Sequence, residues 1–207
     1  MNNKFTLKSN FLKLFPFKLI GKIIRKRTNW IVNNLIGFLK EGERIIDIGA
    51  GGGWVAKEIQ RKRKVQILLL DVIDFNQTDL EIVLYDGKKM PFSDETFDTA
   101  LLIFVLHHCK NPLEVLKEAK RVTKDKIIIM EDIYSNIFEK FLIYVSEILG
   151  FLGSFFIRPP GESLPFSFKS FSEWERIIKN LGLKIIEKKK LLSPFKTTHC
   201  LFVAKKC

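Results

Sequence analysis

The sequence predicts an α/β fold: a mostly parallel sheet with helices on both faces. Three observations predict it. Short, continuous apolar runs alternate with helix-period segments, the pattern of strands buried on both sides. The first such run stops at a cluster of glycines. The chain has 207 residues and is 46% apolar, enough for one packed domain with a small appendage.

The elements follow in order. From Phe17, apolar residues fall at 17, 20 and 24 and at 19 and 23. Lys18, Lys22, Arg25 and Lys26 lie between them, so residues up to 27 read as a cationic amphipathic helix. A second helix is expected after Thr28, with Ile31, Leu35, Phe38 and Leu39 on one stripe and Glu41-Gly42 at its end. Arg44–Ile48 is a buried strand, residues 55–64 a helix and residues 65–70 a second strand. Residues 81–85 and 99–106 read as the third and fourth strands. Pro112–Val122 is a helix with Asn111 as N-cap and Pro112 at its first position. Residues 126–130 form the fifth strand.

The pattern then changes. Phe138, Phe141, Leu142, Val145, Ile148, Leu149 and Leu152 recur at helical spacing, and a Pro/Gly loop follows at 158–165. Ser170 or Ser172 caps a helix that stops at Gly182. Two strands close the chain, at 184–192 and 200–205, around a Ser193-Pro194 turn.

The charge is uneven. Thirty-five Lys/Arg against 23 Asp/Glu give a net +12. Residues 1–44 carry +8 of it, and the rest of the chain is close to balanced. The basicity therefore bears on what residues 1–27 touch, not on the glycine loop. Cys109, Cys200 and Cys207 show no zinc or disulfide spacing, which makes a reducing compartment the default. Lysines interrupt every early apolar run, so no signal peptide is expected.

Asp47-Ile48-Gly49-Ala50-Gly51-Gly52-Gly53 joins a strand to a helix. Such a loop lets backbone approach a ligand, and the helix start suits an anionic group. A dinucleotide fingerprint read from Gly49 puts Trp54 where Gly or Ala is wanted, which argues against a pyrophosphate. Asp71 ends the second strand, where a carboxylate can accept from both ribose hydroxyls. Asp86 follows the third strand and can accept from an exocyclic amine. Either could instead cap a turn. Three such groups at successive strand ends lie where open α/β sheets bind ligands.

These residues resemble the class I S-adenosylmethionine-dependent methyltransferases, of the small type 11 group. The matching stretches are IIDIGAGGG, YDGKKMPFSDETFD, FVLHHCKNPLEVLKEAKRVTKD and SEWERIIKNLGLKII. The resemblance implies a Rossmann-like, doubly wound, seven-stranded sheet, mostly parallel with the last strand antiparallel, plus a helical apolar insert after strand five. It implies S-adenosyl-L-methionine as cofactor and no metal. The methionine end would lie over Gly49, Ala50, Gly51 and Gly53, with Asp47 near the ammonium. Asp71 and Val72 would hold the ribose, Asp86 and Gly87 the adenine end, and Phe104 would flank the cofactor. Only 15 residues separate Asp71 from Asp86, so the usual helix between strands two and three is expected to be short or lost. That also leaves nearby Asp74 open beside Asp71.

His107 and His108 are the candidate catalytic residues, as base or as orienting groups. A structural role is the competing reading. Glu131 and Asp132, at the end of strand five, read first as turn caps, with substrate contact or a base as the competing reading. Trp30, Trp54 and Trp174 read as packing residues.

The expected organisation is a basic segment, 1–27, and a methyltransferase domain, 28–207, whose insert at 133–165 is a helical lid. Residues 141–157 hold one charge, Glu147, too near the middle for a comfortable membrane span. An apolar lid suits a small apolar or lipid-like acceptor. The alternatives are methylation of RNA or protein, steered by the basic start, and a non-catalytic cofactor- or membrane-binding relative. A NAD-linked oxidoreductase fits least. Localisation is expected to be cytoplasmic, with peripheral membrane contact through the N-terminus or the insert.

Overall fold

The computed structural model describes residues 17–154, 167–194 and 197–206. The first part of the basic segment and the 158–165 loop lie outside the described residues. The elements are α1 (Phe17–Leu35), β1 (Arg44–Ile48), α2 (Trp54–Lys62), β2 (Gln66–Asp71), β3 (Ile82–Leu84), β4 (Phe97–Ile103), α3 (Pro112–Val122), β5 (Thr123–Tyr134), α4 (Ile137–Ser154), β6 (Lys169–Ser170), α5 (Phe171–Asn180), β7 (Leu183–Leu192) and β8 (Thr198–Lys206).

The sheet order is β3-β2-β1-β4-β5-β8-β7, with the two-residue β6 paired to β5. β1 to β5 are parallel, and β8 runs antiparallel to both β5 and β7. The strand order reverses at β1, whose neighbours are β2 and β4. Ligands of open α/β sheets sit at that point, beyond the carboxyl ends of the strands.

Alternation along each strand divides the core between two faces. Ile46, Ile48, Ala100, Leu102, Ile127, Ile129 and Phe202 pack with Leu116 of α3 and Trp174 of α5. Ile45, Leu101, Ile128, Met130 and Leu201 pack with Ile31, Val32 and Leu35 of α1 and Ile59 of α2. Apolar side chains on both faces are why the strands read as unbroken hydrophobic runs.

Several boundaries differ from the sequence expectation, and the larger shifts have physical causes. α1 is one helix, not two: Thr28 is buried, and Ile24, Thr28, Ile31 and Leu35 continue one stripe across the expected break. It ends at Leu35, and Ile36–Phe38 tightens to a 3₁₀ turn around Gly37. β4 stops at Ile103 because Phe104 takes φ 56°, and a 3₁₀ turn, Leu106–His108, follows. β5 extends to Tyr134 because its tail pairs with β8 and β6.

Other expectations hold. No helix lies between β2 and β3. Ser170, not Ser172, is the N-cap of α5, in a reciprocal capping box with Glu173. Asn111 is the N-cap of α3 without a side-chain cap bond. Trp174 is fully buried.

Candidate active site

The glycine loop leaves the end of β1 between β2 and β4. Gly49, Gly51 and Gly53 have φ of 70°, 53° and 74°, values that side-chain-bearing residues rarely adopt. Crowding adds to this at Gly49, where a Cβ would meet Val105 Cγ2 at 2.1 Å. At Gly51 a Cβ would point into open space, so this part of the loop faces a cradle. Gly53 N-caps α2 and packs on Asn76 and Thr78.

Two carboxylates flank the loop. Asp47 is buried beneath it. Burial, and then the charge of Asp71, pushes its carboxyl up to about 7. Asp71 ends β2 and is half-buried. Its Oδ2 accepts from the Gly51 N–H at 2.8 Å, and its Oδ1 from the Val72 N–H at 2.7 Å. A carboxylate has about four acceptor sites, so capacity remains for a ligand hydroxyl. Val72 is 54% exposed beside it. Asp74 caps the Asn76 N–H, at 3.3 Å, and does not reach the loop.

The segment that replaces the missing helix is ordered by Asn76. Its amide donates to the Leu80 carbonyl at 2.7 Å and its Oδ1 accepts from Thr78, while the Gln77 N–H donates to the Gly52 carbonyl at 3.1 Å. Sequence reasoning missed this support; the Asn-Gln-Thr-Asp run was its only signal. Beyond β3, exposed Asp86 accepts from the Lys88 N–H at 2.9 Å, with Gly87 at φ 77°. The turn-capping reading holds there.

The β4–β5 edge carries the histidines. Glu131 is fully buried on β5. Its Oε1 accepts from the N–H groups of Val105 and Leu106 at 2.9 and 2.6 Å, and its Oε2 meets His107 Nδ1 at 2.5 Å. One carboxylate thus fixes the turn that presses Val105 onto Gly49. His107 is 2% exposed and stacked on Phe168, with the half-buried His108 ring 4.1 Å away. Glu131 is therefore a clamp on a neighbouring turn, rather than a cap of its own.

The opposite face holds a second pair, which sequence reasoning did not assemble. Asp132 Oδ1 lies 2.7 Å from His199 Nδ1. Burial alone would raise the Asp132 carboxyl, but the close contact and charge of His199, with His107 and Arg27, hold it below the usual range. The His199 ring packs against Trp30 and Phe104, and the Arg27 guanidinium lies 4.5 Å over the Phe104 ring. His199 had no motif around it; only the β5–β8 register brings it to Asp132. Among the described residues the thiols of Cys109 and Cys200 are poor nucleophiles, since burial pushes Cys109 up to about 12 and Cys200 higher still. Trp54 stands half in solvent over Gly52, edge-on to Phe75.

A family model described as a methyltransferase domain matches residues 46–129, the stretch holding the glycine loop and every predicted cofactor residue. The fold is that of the putative methyltransferase in a complex with the Haloferax volcanii Trm112 activator, at TM-score 0.68 and 16% identity, covering 89% of this chain and 91% of that one. By the family match, residues 46–129 are a methyltransferase domain. A demethylmenaquinone methyltransferase of Chlamydia muridarum is 28% identical to the chain over 187 residues, 77% of this chain and 79% of that protein. The sterol 4-C-methyltransferase strm-1 of Caenorhabditis elegans is 30% identical over 129 residues, 49% of this chain and 35% of its own length.

The methyltransferase's cofactor is S-adenosylmethionine, and the loop fits it. The ligand carries a sulfonium and an ammonium; the structure offers two neighbouring carboxylates, one raised by burial, under an open glycine cradle. A cation there would favour the ionised form of Asp47.

Proposed function

We propose that this methyltransferase transfers the methyl group of S-adenosylmethionine to a small, apolar, lipid-like acceptor. The observation that carries the acceptor reading is α4, which follows β5 directly at the ligand edge. Its Ile137, Phe138, Phe141, Leu142 and Ile148 are 80, 66, 62, 48 and 42% exposed. An apolar surface of this kind marks an interaction site when it is contiguous. The demethylmenaquinone and sterol methyltransferases among its relatives support the same reading.

In this reading Gly49, Ala50, Gly51 and Gly53 cradle the methionine end, with Asp47 facing the ammonium. Asp71, beside Val72, accepts from the ribose. Asp86 and Gly87 border the adenine, and Phe104 closes the side toward β5. Bound there, the cofactor supplies a carbon already activated by positive charge. The protein's part is to place the acceptor in line with it, an effect worth up to roughly 7–11 kcal/mol in well-aligned reactions. His107 serves as a positioning group through Glu131. His108, less enclosed, is the histidine able to face the acceptor. α4 acts as the lid.

No helix of the described residues is long and apolar enough to cross a membrane. The first half of α1 exposes Lys22, Arg25, Lys26 and Arg27 beside Ile23, which suits the headgroup layer of an anionic membrane where a lipid-like acceptor would reside. Transfer of labelled methyl from S-adenosylmethionine into lipid, RNA and protein extracts tests the reading. Label in the lipid fraction is expected. Label only in RNA or protein would replace the acceptor class, and none in any fraction would remove catalysis.

A further inference from the structure

We propose that Thr197, His199 and Asp132 form a proton relay at the acceptor side, taking the proton that the methyl acceptor loses. The inference rests on the methyltransferase reading above and narrows its acceptor to one with an acidic ring hydroxyl.

One close ion contact and two hydrogen bonds order the chain of groups. His199 Nδ1 lies 2.7 Å from Asp132 Oδ1, and His199 Nε2 lies 2.9 Å from Thr197 Oγ1. Thr197 Oγ1 is 2.6 Å from Ser193 Oγ. An ionised Asp132 accepts only, so its charge 2.7 Å away favours the proton on Nδ1, although the N–H is not aligned on the carboxylate as a hydrogen bond in this structure. Nε2 then accepts from the Thr197 hydroxyl. His199 is 5% exposed and Asp132 is half-buried, whereas Thr197 is exposed. The inner end of the chain is therefore shielded, and its outer hydroxyl meets solvent or a ligand.

The placement points to the acceptor. Asp132 lies at the carboxyl end of β5, the edge on which the glycine loop opens. Phe104 connects the two: its ring meets His199 edge-on at 5.0 Å, its N–H donates to the Met130 carbonyl, and the next residue, Val105, abuts Gly49. Phe104 holds φ 56° to do so. An aromatic residue kept in that strained region is a common mark of a functional site.

The chemistry balances. The acceptor hydroxyl gives its proton to Thr197 Oγ1 as the Thr197 proton moves to His199 Nε2. The ring carbon conjugated to that oxygen forms its new bond to the methyl carbon as the carbon–sulfur bond breaks, with the electron pair staying on sulfur, and the hydrogen of that ring carbon then passes to the oxygen as the ring regains aromaticity. The positive charge thus moves from sulfonium to imidazolium, beside the Asp132 carboxylate, and the extra proton later leaves to water through Thr197. Thr197 is the catalytic group; His199 and Asp132 act through it. The charges facing His199 are Asp132 from β5 and Arg27 from α1, with His107 and Glu131 across the sheet; β7 places Leu191 opposite it.

Two measurements on the full chain test the relay. Long-range proton–nitrogen-15 spectra should show neutral His199 protonated on Nδ1, with its Nε2 resonance moved in Thr197→Val. Neutral His199 protonated on Nε2 would overturn the proposal whatever the acceptor. With reduced demethylmenaquinone as probe, Thr197→Val and His199→Gln should lower kcat by 10²-fold or more. Thr197→Ser should restore it, and the acidic limb of the pH profile should vanish in His199→Gln. S-adenosylmethionine affinity should stay within about twofold of wild type, as expected of acid–base groups away from the cofactor. Wild-type kcat and an unchanged acidic limb in both folded variants would also overturn the relay. No transfer by the wild type would instead remove the ring-hydroxyl acceptor, and the nitrogen-15 spectra would decide the relay alone.

Discussion

Glu131 and Asp132 are neighbours on β5, and each holds a histidine on an opposite face of the sheet. Glu131 meets His107 at 2.5 Å under the α3 and α5 face, and Asp132 meets His199 at 2.7 Å under the α1 face. Strand alternation alone puts them there. Two adjacent carboxylates thereby brace both walls of one ligand edge.

The first prediction concerns the buried member of this pair. Glu131→Gln should destabilise the fold by about 1.5–3 kcal/mol, the usual size for hydrogen bonds to a charged group. His107→Ala removes part of the same network, so the double variant should lose less than the sum of the two. Urea unfolding of the four proteins gives the coupling. Additive losses would show that Glu131 and His107 act independently.

How far the sequence reached depends on the range of the interaction. Arg44–Ile48 and Pro112–Val122 were readable to the residue, since an apolar run ending in glycine and an Asn-Pro start are local signals. Asp47, Asp71 and the glycines were readable because strand ends place them. The tail of β5, the two-residue β6 and the His199–Asp132 pair were not, because pairing between distant strands creates them. The break expected at Thr28 failed for a related reason. A threonine can cap a helix, but here the α1 stripe runs through it into the core.

Asp47 makes stability depend on pH. Its carboxyl sits at about 7 in the fold against an ordinary value near 4. Between those values the folded chain holds a proton that the unfolded chain has lost. The contribution of this group is therefore full below about pH 4 and falls as pH rises toward 7. Asp47→Asn should remove that slope from the pH dependence of urea unfolding, and an unchanged slope would clear Asp47 of it.

Cofactor binding should carry the opposite signature. A cationic ligand favours ionised Asp47, so S-adenosylmethionine should release up to one proton at pH 6. Its affinity should rise roughly tenfold from pH 6 to pH 8. Calorimetry in two buffers of different ionisation enthalpy measures the proton directly. No proton release would place the cation away from Asp47.

Asp71→Ala should weaken S-adenosylmethionine binding by about 1–3 kcal/mol. It removes the acceptor for ribose hydroxyls and also frees the Gly51 N–H. Asp74→Ala should leave affinity close to wild type, because Asp74 only caps the Asn76 N–H. Equal losses, or the reverse order, would exchange the two assignments.

Far from the ligand edge, Lys126 Nζ meets Glu43 Oε1 at 2.5 Å, and Thr99 donates to Glu43 Oε2 at 3.0 Å. Both charges are over 90% buried. Glu43→Ala should cost about 3–5 kcal/mol by leaving the buried lysine only its longer contact, 3.4 Å, to Asp125. Cofactor affinity of the folded fraction should not move. A loss of affinity without a loss of stability would contradict this separation.

The most direct measurement is calorimetry of the full chain with S-adenosylmethionine, S-adenosylhomocysteine and NAD. The glycine cradle between Asp47 and Asp71 predicts saturable binding of both sulfur compounds and none of NAD. Failure of both at high micromolar concentration, or preferential binding of NAD, would contradict the assignment of this site.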